Sequence, residues 1–267
     1  MPELPEVQTV IDGLNPKIIN QTINKIKILR NRITNGSFLP MIGKKFLKLE
    51  RRGKYIIFHL SSGQVMIGHL KMTGKFIVTS KYVKYHKHDR IIFFLENQSK
   101  LIFNDVRCFG RLELINSTAL CEKFKNMGPE PRDKKYNAQY LKKKLDNRKI
   151  SIKTLLLDQK LVAGIGNIYA SEILFDAGIH PEKPGHSLII KELKKIVQST
   201  RKILTQALKH NGTTISDFRR VDEKSGEFQN FLKVYGRQGI ACRICGEKID
   251  KIKQNQRSTF LCPSCQT

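Results

Sequence analysis

The sequence predicts an α+β fold: an N-terminal antiparallel β-sandwich that begins with a helix, then a helical domain and a small C-terminal metal-binding hairpin. Three observations predict this order. Short β-rich runs fill the first half of the chain, the hydrophobic period becomes helical after about residue 135, and two C-x2-C pairs stand near the C-terminus. With 267 residues, of which 40% are hydrophobic, the chain can bury a substantial core.

The first predicted element is a helix from residue 3 to about residue 14. Pro5 stands in the first turn, where proline is tolerated, and Glu3 and Glu6 complement the positive end of the helix dipole. Four apolar side chains fall on one helical face: Val7, Val10, Ile11 and Leu14. We therefore expect the helix to pack on a core and to hold the N-terminus still.

A series of β-rich runs follows, several of them separated by turn signals such as Ser61-Ser62-Gly63 and Glu96-Asn97-Gln98. The runs span residues 23–30, 54–60, 64–70, 75–79, 90–95, 100–103 and 111–115. Seven or eight such runs favour an antiparallel sandwich.

A polar connector from about 116 to 135, containing Gly128-Pro129-Glu130-Pro131, predicts the domain boundary. After it, helical periodicity predicts four helices, at residues 137–146, 151–158, 167–177 and 188–209, with Gly178 and Gly212 as stop signals. The predicted domains are a sandwich at 1–130, a helical domain at 131–233 and a finger at 234–267.

The most specific motif is a set of four cysteines, C-x2-C, sixteen residues, then C-x2-C: Cys242, Cys245, Cys262 and Cys265. This spacing fits a tetrahedral zinc site. Two disulfides are the alternative, but a long basic chain without a signal peptide belongs in a reducing compartment. We therefore expect one structural Zn²⁺, which holds a hairpin and performs no chemistry because no coordination position stays open. Cys108 and Cys121 are expected to be ordinary thiols.

The charge balance indicates a nucleic-acid partner. The chain has 49 Lys and Arg against 23 Asp and Glu, a net charge of +26 and a pI near 10.0. A solubilising surface and an anionic membrane are the alternatives. No apolar run approaches the roughly 18 residues of a membrane span, and the N-terminus lacks the pattern of a secretion signal. We therefore expect a soluble cytoplasmic protein with no membrane partner.

Two further features suggest phosphate contacts. Gly164-Ile165-Gly166-Asn167 fails the dinucleotide-binding spacing, because Tyr169 stands where a small residue belongs. The stretch instead predicts a turn into a helix, where backbone N–H groups and the Asn167 side chain could bind a phosphate; a plain helix cap is the alternative. Arg257 falls at the expected tip of the finger hairpin, where it could reach a phosphate or simply be exposed.

Pro2 is the candidate nucleophile. Met1 precedes a small residue, so we expect its removal, which leaves Pro2 with a free secondary amine. An amine attacks carbon only as its free base, and an α-amine has a pKa of about 7.7–8.0 against about 10.4 for lysine. Because a proline amine is more basic than other α-amines, the site would need cationic neighbours to lower its pKa. The alternative is an ordinary helix start.

Taken in chain order, seven stretches resemble those of the bacterial formamidopyrimidine-DNA glycosylases. They are MPELPEV at 1–7, RRGKY at 51–55, HLKMTG at 69–74, DVRCFGR at 105–111, GIGNIYASE at 164–172, VYGRQG at 234–239 and the four-cysteine finger. The resemblance spans nearly the whole chain. It implies a helix-two-turns-helix domain after the sandwich, a zinc finger, and damaged double-stranded DNA bound by a monomer across the cleft between the domains.

The resemblance also implies a base-excision repair enzyme for oxidised purines, such as 8-oxoguanine opposite cytosine and the formamidopyrimidines. Pro2 would attack C1′ and form a Schiff base that β- and δ-elimination resolve. Glu3 matches the proton donor, although a helix N-terminus would stabilise its anion unless burial raises its pKa. Glu6 matches the carboxylate that helps to position the site. Lys54 matches a lysine that binds phosphate and assists β-elimination, and Arg257 the finger arginine associated with phosphate binding and δ-elimination.

Four more DNA contacts are implied: His88, Arg107, Arg148 and Asn167. Because the target base must leave the duplex, other side chains must fill the gap. Met72, Arg107 and Phe109 match the family's flexible filler, donor to the orphaned base and aromatic wedge, although Met72 and Phe109 taken singly are typical of a core. Cytosine offers the acceptors that an arginine needs. Cys108 stands where the family commonly has arginine.

Two other functions stay open at this point. Endonuclease VIII, a relative, prefers oxidised pyrimidines, but Leu4 together with Met72, Arg107 and Phe109 fits the purine enzyme better. A zinc-ribbon protein that binds nucleic acid without catalysis is the second alternative. We expect the glycine-bearing segment 213–230 to grip the flipped base.

Overall fold

The computed structural model describes residues 1–80, 85–213 and 226–267, and the chain forms two compact units. The first unit comprises Met1–Lys125 with His210–Glu227, and the second comprises Asn126–Lys209 with Phe228–Thr267. Each unit is therefore built from two separate stretches of the sequence. The division into three consecutive domains stays a prediction.

The first unit begins with helix α1, Leu4–Ile18, which ends four residues after the predicted end and contains Pro16 in its last turn. Glu3 is its N-cap, and Glu3 and Glu6 form a reciprocal capping box that satisfies N–H groups of the first turn. The four predicted apolar side chains are all buried: Val7, Val10, Ile11 and Leu14. They pack into the main core of the unit, as their spacing predicts.

Nine strands follow in the described part of this unit: β1 Ile23–Ile28, β2 Thr34–Asn35, β3 Phe46–Arg52, β4 Tyr55–Leu60, β5 Gln64–His69, β6 Gly74–Thr79, β7 Asp89–Leu95, β8 Lys100–Asp105 and β9 Arg111–Asn116. They form a four-stranded sheet in the order β1-β7-β8-β6 and a five-stranded sheet in the order β2-β9-β5-β4-β3. All neighbours are antiparallel except the two-residue strand β2, which pairs parallel with β9. The predicted antiparallel sandwich is thus confirmed.

Aromatic side chains join the two sheets through a shared core. The ring centroids of Phe46 and Phe93 lie 6.4 Å apart, and those of Phe58 and Phe76 lie 5.2 Å apart. Each pair joins one strand of the five-stranded sheet to one of the four-stranded sheet. Burying one such side chain stabilises the fold by about 1.5–3 kcal/mol, so this core is the main source of the unit's stability.

The second unit holds most of the helices, which lie close to their predicted positions. They are α3 Ala138–Leu145, α4 Ile152–Leu157, α5 Asn167–Ala177 and α6 Ile190–Lys209; a short helix, α2 Leu120–Phe124, precedes them in the first unit. Asn137 caps α3 by accepting a hydrogen bond from the backbone of Tyr140 at 2.9 Å. Gly178 ends α5 with a φ of 69°, the left-handed conformation that its predicted role as a stop requires.

The C-terminal part of the second unit contains a hairpin of β10, Asp250–Gln254, and β11, Arg257–Leu261. Asn255 and Gln256 connect the strands with positive φ angles of 45° and 62°, as a type I′ turn requires. None of the helices described in either unit combines the length and apolar character needed to cross a membrane.

Candidate functional site

The N-terminal turn holds Pro2 next to two buried carboxylates. Pro2 is buried and directly precedes the N-cap of α1. Glu3 and Glu6 are only 3% and 2% exposed, and the Glu3 backbone N–H donates to Glu6 Oε2 at 2.8 Å. The sequence position of the candidate nucleophile therefore coincides with a turn that hydrogen bonds hold in one conformation.

Glu6 also ties this turn to the second stretch of the first unit. Its Oε1 accepts from the backbone N–H of Thr213 at 2.8 Å and from the Thr213 hydroxyl at 3.0 Å. Gly212 has a φ of 73°, and a Cβ atom there would lie 2.7 Å from Glu6 Oε1, so glycine permits this close approach. Sequence reasoning placed Gly212 only as a helix stop, because a contact between residues 6 and 213 leaves no local pattern.

The predicted base-gripping segment, 213–230, is described only at its ends. Glu227 N–H donates to the carbonyl of His210 at 3.0 Å, and a Cβ atom on Gly226 would lie 2.4 Å from the carbonyl oxygen of Gly212. These contacts bring the two ends of the segment together. Residues 214–225 lie outside the described part, and the assignment stays a prediction.

Lys54 lies on the tight turn between β3 and β4, after Gly53, whose φ is 55°. It is only 5% exposed, unlike a solvated lysine at a strand edge.

His69, the last residue of β5, is buried and lies opposite Tyr55 of β4. It accepts a hydrogen bond from the backbone N–H of Lys71 at 3.0 Å. Burial first, then the charges of Lys71 and Lys54, lower the pKa of His69 to about 3, so its ring is neutral. Sequence reasoning missed His69, although it opens the HLKMTG stretch.

Met72, Arg107 and Phe109 lie on two turns of the first unit. Met72 is 44% exposed and Phe109 is 43% exposed, so neither is a core side chain. The Arg107 guanidinium carbon lies 4.6 Å from the centroid of the Phe109 ring, within the range of a cation–π contact. The three side chains thus stand where a partner could reach them. The two turns meet at Asp105, which the sequence did not single out.

His88 is half-buried beside the same pair of turns. Its carbonyl accepts from the backbone N–H of Asp105 at 2.9 Å, and its Nδ1 lies 3.4 Å from Nη2 of Arg90. Partial desolvation, followed by the charges of Lys87, His86 and Arg90, lowers the pKa of His88. A neutral ring at neutral pH can still donate one hydrogen bond.

In the second unit, Asn167 and the finger hairpin share one buried lysine. Lys153 on α4 is 1% exposed, and its Nζ donates to Asn167 Oδ1 at 2.8 Å, to Thr259 Oγ1 at 2.7 Å and to the Ser258 carbonyl at 3.1 Å. Asn167 Nδ2 donates to the same Ser258 carbonyl at 3.0 Å. Asn167, the first residue of α5, is therefore locked to β11. Sequence reasoning missed Lys153, although a single lysine within the apolar IKTLLL helix is a detectable signal.

Arg257, the first residue of β11, is exposed beside a cavity of about 270 Å³ that Lys153, Thr154 and Asn255 also line. The predicted hairpin tip was one residue late, since Asn255 and Gln256 form the turn. Arg148 is exposed on the connection between α3 and α4, where its carbonyl accepts from the backbone of His186 at 3.0 Å. The structure thus unites Asn167 with the finger hairpin, whereas the described contacts of Arg148 involve none of the other predicted residues.

The four predicted cysteine ligands converge on one point. The sulfur atoms of Cys242, Cys245, Cys262 and Cys265 all lie within 4.8 Å of one another. Cys242 and Cys265 sulfurs are 4.0 Å apart, and those of Cys245 and Cys262 are 3.4 Å apart. Tetrahedral zinc with Zn–S bonds of about 2.3 Å needs sulfurs about 3.8 Å apart, whereas a disulfide needs about 2.05 Å. The cluster therefore fits zinc.

Glu172, another residue that the sequence did not single out, anchors the start of the finger. Its carboxylate accepts from the backbone N–H groups of Lys233, Val234 and Tyr235 at 2.9, 2.9 and 2.8 Å. Burial raises the pKa of Glu172, opposed by these three hydrogen bonds. One carboxylate on α5 thus fixes the path of the VYGRQG stretch.

Three family models match the chain in order. The formamidopyrimidine-DNA glycosylase N-terminal domain matches residues 1–112, the H2TH domain of the same glycosylases matches residues 127–219, and a zinc finger found in FPG and IleRS matches residues 239–267.

Curated relatives and solved structures match over the full length. Formamidopyrimidine-DNA glycosylases of Desulforamulus reducens and Rickettsia africae are 39% and 41% identical, over 100% of this chain and 99% of theirs. The structure is similar to that of a Lactococcus lactis FPG mutant in complex with DNA containing Fapy-dG, with a TM-score of 0.94, 38% identity and coverage of 100% of both chains. It is equally similar to a complex of Lactococcus lactis Fpg with DNA containing an abasic site, with a TM-score of 0.94, 37% identity and 99% coverage of both.

Proposed function

The chain belongs to the formamidopyrimidine-DNA glycosylase family, and from this premise we propose that its Pro2 amine attacks the sugar of oxidised purine nucleotides in DNA. The protein is a base-excision repair enzyme for oxidised purines, both a DNA glycosylase and an abasic-site lyase. The proposed preferred substrates are formamidopyrimidines and 8-oxoguanine opposite cytosine. The observation that carries the residue assignment is the N-terminal turn, in which Pro2 directly precedes the buried Glu3 and Glu6.

The proposed reaction uses one nucleophile for both activities. The Pro2 nitrogen bonds to C1′ as the glycosidic bond breaks, and the base leaves with the bonding electron pair and takes up a proton, for which Glu3 is the proposed donor. The Pro2 nitrogen gives up its proton, the C1′–O4′ bond breaks and O4′ takes up a proton, which leaves an iminium ion that acidifies the proton on C2′. Loss of the C2′ proton expels the 3′ phosphate, and loss of the C4′ proton then expels the 5′ phosphate.

Glu6 is proposed to position the N-terminal turn for this reaction. Both of its carboxylate oxygens accept hydrogen bonds, Oε2 from the backbone of Glu3 and Oε1 from Thr213. Both oxygens of Glu6 are thus engaged in holding the N-terminal turn against Thr213. We therefore propose Glu3 for proton transfer and Glu6 for holding the turn.

The phosphates flanking the target are proposed to contact both units. Lys54 in the first unit, and Arg257 and Asn167 in the second, are the proposed phosphate contacts, with Lys54 assisting β-elimination and Arg257 assisting δ-elimination. His88 and Arg148 are proposed as further DNA contacts. Phosphate contacts hold the duplex in register and carry no sequence preference, which suits an enzyme that must scan any sequence.

Met72, Arg107 and Phe109 are proposed to replace the extruded nucleotide. The exposed Met72 side chain is flexible and apolar, which suits a filler of an irregular gap. Arg107 offers paired donors for the acceptors of cytosine, and Phe109 beside it offers a flat apolar wedge. This set supports the preference for lesions opposite cytosine, and it supports the purine enzyme over the endonuclease VIII alternative.

One structural zinc ion belongs to the chain, held by Cys242, Cys245, Cys262 and Cys265. Bound there, it supplies a rigid cross-link between the chain segments that flank the hairpin. The hairpin in turn presents Arg257 at the start of β11. We further propose that the enzyme works as a monomer in the bacterial cytoplasm, where its double-stranded substrate is found.

Borohydride trapping tests the proposal. The processed enzyme should give a covalent adduct on a duplex with 8-oxoguanine opposite cytosine, and a weaker one on a duplex with an oxidised pyrimidine. Pro2→Gly should reduce the trapped fraction at least about tenfold, because a primary glycine amine reproduces the secondary amine poorly, while salt-sensitive DNA binding persists. Full trapping by an uncleaved N-terminal fusion would contradict the assignment, and stronger trapping on the pyrimidine duplex would contradict the substrate preference.

A further inference from the structure

Asp105 lies where the two turns that carry Met72, Arg107 and Phe109 meet. It is the last residue of β8 and is fully buried. Its Oδ1 accepts from the Thr73 hydroxyl at 2.5 Å and from the backbone N–H of Arg107 at 3.2 Å, and its Oδ2 accepts from the backbone N–H of Gly110 at 2.8 Å. One carboxylate therefore joins the turn after β5 to the turn between β8 and β9.

A further hydrogen bond links the two turns directly. The backbone N–H of Arg107 also donates to the Thr73 hydroxyl at 3.1 Å. Thr73 thus stands between the carboxylate and the arginine backbone, immediately after Met72 in the chain. A shift of either turn would break the hydrogen bonds that join it to the other, so the two turns hold a fixed position relative to each other.

Both turns contain strained backbone that needs such an anchor. Lys71 and Cys108 each have a φ of 54°, although neither is glycine, and a residue held in this region costs on the order of 1 kcal/mol or more. A Cβ atom on Gly74 would lie 2.5 Å from the Leu70 carbonyl oxygen, and one on Gly110 would lie 3.0 Å from Asp105 Oδ2. The glycines allow the close approach, and the carboxylate offsets the strain.

Arg90 holds the same strand end from the other side. It is 4% exposed, its Nε donates to the Asp105 carbonyl at 2.7 Å, and its Nη2 donates to the Val106 carbonyl at 3.3 Å. These bonds fix the main chain of Asp105, so that its carboxylate faces the turns in a single orientation.

We propose that Asp105 is a positioning residue that sets the geometry in which Met72, Arg107 and Phe109 enter the gap in the duplex. The inference rests on the proposed function of those three side chains. Met72 and Phe109 are each more than 40% exposed, so neither is held by burial in the core. Their orientation depends on the two backbones that Asp105 joins. The carboxylate acts through them and touches neither the base nor the sugar.

Asp105→Asn tests the inference, because it keeps the volume but replaces an acceptor oxygen with an NH2 group that cannot accept from a backbone donor. The readout is the ratio of single-turnover 8-oxoguanine excision opposite cytosine to excision opposite adenine. A variant that is merely less stable loses both rates in proportion and keeps the ratio. We expect excision opposite cytosine to fall about tenfold, the equivalent of one lost hydrogen bond to a charged group, and the ratio to fall with it.

Thr73→Val provides a milder variant in case Asp105→Asn fails to fold. It removes one donor to Asp105 without changing the size of the side chain, and we expect a smaller fall of about threefold in the same ratio, because the carboxylate keeps its hydrogen bonds from the backbone of Arg107 and Gly110. The double variant Asp105→Asn/Arg107→Ala should show a ratio no lower than that of the more affected single variant, because the effects of residues that act as a unit are not additive. Additive effects of the two substitutions, or an unchanged ratio in both single variants, would overturn the inference.

Met72→Ala, Arg107→Ala and Phe109→Ala separate this inference from the function on which it rests. If these three variants excise lesions opposite cytosine as well as the wild-type enzyme, the proposed role of the inserting side chains fails. If they lose excision while Asp105→Asn and Thr73→Val keep the wild-type ratio, only the role of Asp105 fails.

Discussion

At the scale of single residues, buried charged and titratable side chains position the turns of the candidate site. Glu6, Asp105 and Glu172 are each 2% exposed or less, and each carboxylate accepts a hydrogen bond from a segment distant in sequence. Leaving such a donor unsatisfied costs about 1–3 kcal/mol. A buried carboxylate can therefore fix a turn that carries no regular secondary structure.

His69 gives a prediction for the dependence of stability on pH. Its folded pKa is lowered to about 3, so the unfolded chain binds a proton near its ordinary pKa of about 6.5 while the folded protein does not. Its contribution to stability is complete above that pH and is lost as the pH falls from about 6.5 toward 3, with a slope of at most about 1.4 kcal/mol per pH unit. We expect His69→Gln to flatten the decline in urea-unfolding free energy between about pH 6.5 and 4.

His186→Gln is the matched control for that experiment, because His186 is exposed on the second unit. It should leave the pH dependence of unfolding unchanged. Loss of zinc at low pH affects both variants equally, so the difference between them isolates His69. A His69→Gln protein that follows the wild-type decline would show that this ring is protonated in the folded state.

At the scale of helices and strands, the sequence predicts an element correctly where a pattern within that element determines it. The four long helices and Gly178 follow from hydrophobic periodicity and a stop signal, and each lies within about two residues of its predicted position. β3, Phe46–Arg52, was not predicted, because its FLKLERR sequence carries charges on a strand that is only half covered. The sequence predicts a connector where helix α2 lies, since five residues show too little of a helical period.

The side chain of Lys153 joins α4 to α5 and to the finger hairpin, so its replacement tests how these elements are held together. In Lys153→Met the side-chain volume is similar, but Asn167, Ser258 and Thr259 lose a shared donor. We expect at least about 2 kcal/mol less stability in urea unfolding of the zinc-loaded protein, since each buried polar group left unsatisfied costs about 1–3 kcal/mol. DNA affinity should also fall, because the Asn167 amide loses its fixed orientation.

Measuring the DNA affinity of Arg257→Ala beside that of Lys153→Met distinguishes a side chain that contacts phosphate directly from one that only orients other residues. If Arg257 touches a phosphate, its removal should make the plot of log affinity against log salt concentration shallower by about one unit. Lys153→Met should weaken binding at every salt concentration with the wild-type slope. Equal slopes in Arg257→Ala and the wild type would mean that the arginine does not contact the backbone. A shallower slope in Lys153→Met would mean that the lysine does.

Across the whole molecule, the proposed chemistry is divided between two discontinuous units. The nucleophile, Lys54 and the gap-filling side chains belong to the first unit, and Asn167, Arg257 and the zinc cluster belong to the second. The return of His210–Glu227 to the first unit places Thr213 against Glu6, a connection that no sequence pattern indicates.

The candidate site was therefore predictable in part. The residues proposed to meet DNA and the metal ligands stand in short stretches that resemble the family, so Pro2, Arg107 and the four cysteines are candidates from the sequence alone. Asp105, Lys153 and Glu172 support those residues through contacts between distant positions, which lie 32 residues apart for Asp105 and Thr73 and 106 apart for Lys153 and Thr259. Only the folded chain brings such pairs together.

Peptide mapping of the borohydride-reduced adduct tests the central claim most directly. The processed enzyme is trapped on a duplex with 8-oxoguanine opposite cytosine, digested with protease and nuclease, and analysed by tandem mass spectrometry. We expect the reduced sugar to be bonded to the nitrogen of Pro2 in the N-terminal peptide. A sugar bonded to Lys54 or to any other lysine, with an unmodified Pro2 peptide, would contradict it.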